Sequence, residues 1–111
     1  MPNIIKITDP RGKTVVCSED TWNRHIVKHH PEMKNRMGDV VNAISDPDFI
    51  CEDINDEDTD IYIAFITLKT TNDLYLRVIV KFDRNFGRVL SAFPAANGKT
   101  GETIIWMRSK A

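Results

Sequence analysis

The chain has 111 residues, 41% hydrophobic and 28% charged, the proportions of a folded domain with one core rather than of a disordered or fibrous chain. Its longest apolar stretch, Ile61 to Leu68, falls well short of the roughly 20 residues that span a bilayer. Two cysteines, Cys17 and Cys51, make neither a disulfide framework nor a zinc ribbon, and the net charge of −1 excludes a uniformly basic or acidic surface.

Asn3 to Thr8 alternates and is rich in β-branched residues, so it predicts a strand. The start at Met1-Pro2-Asn3 leads directly into that alternation, so neither a signal peptide nor a transit peptide is expected, and a cytoplasmic location is. Asp9-Pro10-Arg11-Gly12 has turn chemistry, with Lys13 to Cys17 as the returning strand of a hairpin. Ser18 is suited to cap a helix, and Glu19 and Asp20 favour the positive end of its dipole. That helix should end near His29, because His30 precedes Pro31 and is pushed out of helical geometry. A second helix is expected from Pro31 to Ser45, carried by Met33, Met37, Val40, Val41 and Ile44 at helical spacing.

The remainder predicts strands: Phe49 to Asp53, Ile61 to Leu68 as a buried central strand, Leu74 to Phe82, Arg88 to Phe93 and Thr103 to Met107. The expected fold class is α+β. Two N-terminal helices would pack on a four-to-five-stranded antiparallel meander sheet, preceded by a short β-hairpin. All of it forms a single domain over residues 1–111, with the hairpin over 1–17, the helices over 18–45 and the sheet over 49–108.

In Leu74 to Phe82 the alternation puts Leu74, Leu76, Val78, Val80 and Phe82 on one face and Tyr75, Arg77, Ile79 and Lys81 on the other. The second set holds two cations roughly 13 Å apart along the strand, with a stacking-capable Tyr75 beside them. If Asp83 to Gly87 is a five-residue loop, Phe82 lies opposite Arg88 and Lys81 opposite Val89. Ser91 then sits opposite Ile79 and Phe93 opposite Arg77, so Ser91 joins the cationic face. A four-residue loop would turn Ser91 into the core.

Charge is segregated along the chain. Residues 1–45 hold seven basic and five acidic residues; residues 46–60 hold eight acids and no base; residues 61–111 hold eight bases and three acids. Without the acidic stretch the domain would attract a polyanion. Residues 52–60 are read either as a solvated loop or as a mimic of phosphate charge that restrains binding or engages a basic partner. The stretch lacks the glycine and spacing of an EF-hand loop.

All three histidines fall between His25 and His30. His25 and His29, four apart, share a helix face with Trp22 and Ile26. Imidazoles titrate near neutral pH and can both take and give a proton, which phosphodiester cleavage needs. RNA is the natural substrate, because its 2′-OH is an internal nucleophile. Arg77 and Lys81 would stabilise the charge of the transition state. Two other readings stay open: a structural role, and zinc binding, although Ile26 stands where a zincin has its glutamate and no third ligand is evident. No metal and no cofactor are expected.

Trp22-Asn23-Arg24-His25-Ile26, followed by His30-Pro31-Glu32, resembles the W-x-x-H-I-x-x-x-H-P-E helix motif of the phage-associated branch of the barnase–EndoU–colicin–RelE nuclease superfold. Asp46-Pro47-Asp48 before a strand and Val89-Leu90-Ser91-Ala92-Phe93 are similar to that branch's later signature. The resemblance implies a small metal-independent endoribonuclease acting on RNA such as tRNA or rRNA, in some relatives a toxin with an inhibitor or antitoxin partner. By this resemblance His25, His30 and Glu32 match the helix motif, Arg77 or Lys81 the basic strand position and Ser91 the Thr/Ser position, while His29 falls where such motifs carry Arg or Lys. The expected catalytic residues are His25, His30, Arg77, Lys81 and Ser91, and the expected substrate contacts His29, Glu32, Tyr75 and Arg88. The alternative is a non-enzymatic interaction module, either an RNA-binding degenerate nuclease or an antitoxin- or immunity-like protein.

Overall fold

A computed structural model describes residues 2–66, 75–95 and 102–108. The fold is α+β: a seven-stranded mixed sheet with two short helices. The strands are β1 (Asn3–Thr8), β2 (Thr14–Ser18), β3 (Phe49–Glu52), β4 (Thr59–Phe65), β5 (Tyr75–Asp83), β6 (Phe86–Ala95) and β7 (Thr103–Met107). Their spatial order is β1-β2-β6-β5-β4-β3-β7. The sheet departs from the expected four or five antiparallel strands in two ways. The N-terminal hairpin is part of it, and β2 pairs with β6 in parallel, Val16 opposite Arg88. Leu74, expected on the inward face of its strand, and Thr67 and Leu68, expected to end the buried central strand, lie outside the described residues.

The hairpin turn closes as its residues suggest. The Asp9 carboxylate accepts the backbone N–H groups of Arg11 and Lys13 at 2.8 and 2.9 Å. Gly12 has φ +84°, a conformation that a Cβ would strain. Ser18 caps the first helix through its Oγ, which accepts the Thr21 N–H at 3.1 Å. That helix occupies residues 19–29 but is not uniform. Trp22–Ile26 is π-helical, and the Val27 N–H reaches back to the Trp22 carbonyl. Such an insertion widens the turn and rotates the following side chains. His30 leaves the helix with φ −134° and ψ 76°. Pro31–Met33 makes only a 3₁₀ turn, and the second helix begins at Met37, ending at Ser45.

One large core holds Trp22 and Ile26 of the first helix, Val40 and Ile44 of the second, and Tyr62 and Val78 of the sheet. A smaller cluster on the other side of the sheet joins Cys51, Ile61 and Ile63 to Phe49, Ile79 and Ile104. β4 is therefore covered on both faces, which accounts for its unbroken apolar run.

The β5–β6 register combines a tight turn with a bulge. Asp83 pairs with Phe86 across Arg84-Asn85, so Phe82 faces Gly87 and Lys81 faces Arg88, one position off the five-residue-loop expectation. An irregularity between Ile79 and Val80 then adds one residue on β6. Beyond it Ile79 faces Ser91 and Arg77 faces Phe93, as the sequence predicts.

Candidate nucleic-acid interface

β2 pairs with β6 only from Thr14 to Val16, opposite Phe86 to Arg88. Past that point the chain turns at Ser18 into the first helix, which packs beside the rest of β6. The strip where β2 gives way to the helix opens a cleft of about 520 Å³ lined by Asn3, Val16, Ser18, Thr21, Phe86, Arg88 and Val89. Ser18 and Thr21 present hydroxyls hydrogen-bonded to each other at 3.0 Å. Arg88 is exposed at the cleft wall.

The histidines sit at the far end of the same helix. His25 and His29 are exposed and meet edge to face, 5.2 Å between ring centres. His30 is half-buried, its ring stacked on Phe93 at 5.2 Å with 25° between planes. Its Nδ1 lies 3.5 Å from Glu32 Oε1. Phe93 is the cross-strand partner of Arg77, and Ser91 that of Ile79, so by alternation both lie on the sheet face turned away from the main core. His30, Phe93, Ser91 and Arg88 thus follow one another along β6. His30's contact at Phe93 is five residues from Arg88, roughly 16 Å along an extended strand.

Arg77 and Lys81 are placed differently from the sequence expectation of two free cations. Arg77 is only 7% exposed and forms an ion pair with Glu102, itself 4% exposed. Lys81 is paired with Asp56. The carboxylate beside it raises the Lys81 pKa, and the lysine in turn lowers that of Asp56. Tyr75 packs edge-on against Phe65, ring centres 6.0 Å apart. The end of the helix thus carries two separate contacts, His25 with His29 and His30 with Glu32, of which His30 lies against Phe93, with Ser91 and then Arg88 farther along β6. Arg77 and Lys81 lie one strand away, on β5, each with a carboxylate.

The acidic stretch is divided as well. Asp56 reaches Lys81, whereas Asp60 is buried in β4 and meets Arg11 at 2.9 Å. That contact belongs to a buried network invisible to local pattern. Arg11 also meets Asp9 at 2.8 Å and donates to the Tyr62 hydroxyl at 3.1 Å. Tyr62 in turn donates to Asp9 at 2.7 Å. Burial pushes the Asp9 pKa up, but hydrogen bonds from Tyr62, the Lys13 N–H and Arg11 outweigh it and leave it lowered. The same burial and the Asp9 contact push the Tyr62 phenol far upward. The network pins the hairpin turn onto β4.

Cys17 is buried and its thiol pushed up to about 11 by desolvation, so it is a poor nucleophile. Among the described residues, no three His, Cys, Asp or Glu side chains form a group that could hold a metal ion, and no helix is long and apolar enough to cross a membrane. No family model, curated protein or solved structure matches the chain, so the site is read from its own residues.

Proposed function

We propose that the protein is a metal-independent endoribonuclease that binds RNA along the strip between the first helix and β6. The observation that carries this reading is the stacking of His30 on Phe93, which sets an imidazole beside the outer face of β6 in line with Ser91 and Arg88. The motif from Trp22 to Glu32, similar to that of the nuclease superfold named above, adds support.

In the proposed reaction, His30 takes the proton of the substrate 2′-OH as O2′ bonds to the adjacent phosphorus. The P–O5′ bond breaks, and the departing 5′ oxygen takes a proton from the imidazolium of His25. The products are a 2′,3′-cyclic phosphate and a 5′-hydroxyl. Glu32 orients the His30 ring, and His29 steadies His25 through its ring edge. Ser91, two residues from Phe93, donates a hydrogen bond to the phosphate charge that grows in the transition state, and Arg88 holds a backbone phosphate farther along β6. Arg77 and Lys81 act on β5, Arg77 holding the sheet through Glu102 and Lys81 contacting the strand beyond the scissile bond.

The test is incubation with mixed tRNA and rRNA in EDTA, with end-group analysis of the fragments. His30→Ala and His25→Ala should each lower the rate by about 10² to 10⁴ without changing the far-ultraviolet spectrum. Undiminished cleavage by His30→Ala would remove this histidine from the chemistry. A second reading is favoured by the carboxylates on Arg77 and Lys81: a module that binds RNA, or a basic protein partner, without cleaving. Bound but intact RNA, with no cyclic phosphate ends, would select it.

A further inference from the structure

Cross-strand pairing sets a row of residues across five strands: Lys6 opposite Val16, Val16 opposite Arg88, Arg88 opposite Lys81 and Lys81 opposite Thr59. Neighbouring strands are about 4.8 Å apart. Arg88 and Lys81 are therefore adjacent, and Lys6 stands about 10 Å from Arg88 on the other side of Val16. All three cations are exposed. A second cleft of about 490 Å³ lies on this part of the sheet, lined by Lys81, Phe82, Asp83, Phe86, Arg88 and Leu90. Phe86 and Arg88 border both clefts. Phe86 is 42% and Leu90 44% exposed, an unusual outlay of apolar surface beside three positive charges.

At the end of this row stands Asp56. One of its carboxylate oxygens accepts the Asp58 N–H at 3.0 Å. The other accepts the Thr59 hydroxyl at 3.0 Å and contacts Lys81. Two local hydrogen bonds fix this anion on the one lysine of the row that borders the Phe86 cleft.

Building on the RNA reading above, we infer that the row Lys6–Arg88–Lys81, with the Phe86 ring, carries a single RNA strand away from the first cleft, and that Asp56 occupies on Lys81 the place of a backbone phosphate. Spaced cations recognise a sugar–phosphate backbone, and an exposed aromatic ring two residues from the row offers a stacking platform for a base. A flexible acidic tail would find the cations but gain nothing from the ring. The chain thus carries its own competitor, and the strand must displace Asp56 to reach Lys81.

The experiment is fluorescence anisotropy with a short labelled 2′-O-methyl oligouridine, whose blocked O2′ makes it resistant to cleavage. Phe86→Ala should weaken binding about tenfold. Asp56→Asn keeps Oδ1 as acceptor for the Asp58 N–H and turns an amide N–H toward the Thr59 hydroxyl oxygen, which can accept it. It should tighten binding about two- to fivefold at low salt, and that gain should vanish when Lys81→Ala is also present. Lys81→Ala alone should reduce the slope of log affinity against log salt by about 0.7. Unchanged affinity in both Phe86→Ala and Asp56→Asn overturns the inference, even if unmodified RNA is cut in a His30-dependent way. Shifted affinities without any cleavage uphold the track and overturn the nuclease reading instead. Heparin binding as tightly, with the oligouridine insensitive to Phe86→Ala, would reduce the row to a charge patch and overturn the stacking role.

Discussion

Replacing Arg11 by methionine tests the hairpin anchor. The guanidinium lies 2.8 Å from Asp9 and 2.9 Å from Asp60, whose side chains are 0% and 7% exposed. Unit charges about 4 Å apart attract by about 4 kcal/mol at an effective dielectric of 20. Methionine keeps the aliphatic packing beside Tyr62 and Phe82 but leaves two buried carboxylates without their cation. Removing one partner of a buried pair costs about 3 to 5 kcal/mol, a large share of the 5 to 15 kcal/mol typical of a domain. The cost should depend on pH. In the native protein the Asp9 pKa is lowered, so its contribution is complete above the unfolded value near 3.9 and is lost only as pH falls through the lower, folded value. Without Arg11 the Asp9 pKa should rise, because the guanidinium's hydrogen bond and charge both lower it. Between the two folded values the variant binds a proton that the parent protein does not, so the gap between them closes by up to about 1.4 kcal/mol per pH unit as pH falls. Urea unfolding at pH 7 and pH 3.5 should show the gap between the two proteins narrowing at the lower pH. A gap under about 1 kcal/mol at pH 7, or one independent of pH, would refute the reasoning.

Two further substitutions probe the β5–β6 hairpin. A Cβ on Gly87 would stand 2.6 Å from Val80 Cγ1 and 2.7 Å from Phe82 Cε1, so Gly87→Ala should lower stability by about 1 to 3 kcal/mol in chemical denaturation, through overpacking. Arg84 holds φ at +59° in the turn. Arg84→Gly should raise stability by up to about 1 kcal/mol in the same measurement, because glycine accepts that region without a steric cost.

Local chemistry made much of this chain legible. Asp9 and Gly12 sit where a hairpin turn needs a side-chain acceptor and a positive φ, Ser18 where a helix needs a cap, and His30 where proline ends one. The alternation of β5 placed Arg77 and Lys81 on the face opposite Val78 and Val80, whereas the Ile79–Ser91 and Arg77–Phe93 pairs match the five-residue-loop register only because the bulge offsets the tighter turn. Other features depend on partners distant in sequence. Nothing near Arg11 announces Asp60, and nothing near Arg77 announces Glu102, so two apparent surface cations turn out to be buried in ion pairs. The turn at Arg84 and the irregularity near Val80 compensate each other, which no count of loop residues reveals. Pro31 predicts a helix start, yet its segment closes only one tight turn, and the helix waits for Met37. The π-helical stretch through His25 leaves no trace in hydrophobic period, since Trp22 and Ile26 remain four apart. For the candidate site, the histidine group and Arg88 could be found from sequence, whereas the cleft between Thr21 and Val89 arises only from the parallel docking of β2.

That parallel ladder also orders events in time. The first hairpin has all its local partners as soon as Ser18 is made, but the strand it must lie against arrives about 70 residues later. Until β6 exists, β2 is paired on the β1 side alone with its other edge open, and the helix that follows lacks the strand it packs beside. The opening that Thr21 and Arg88 line therefore cannot assemble until β6 has been made, and during synthesis no RNA could be engaged there before that strand had left the ribosome.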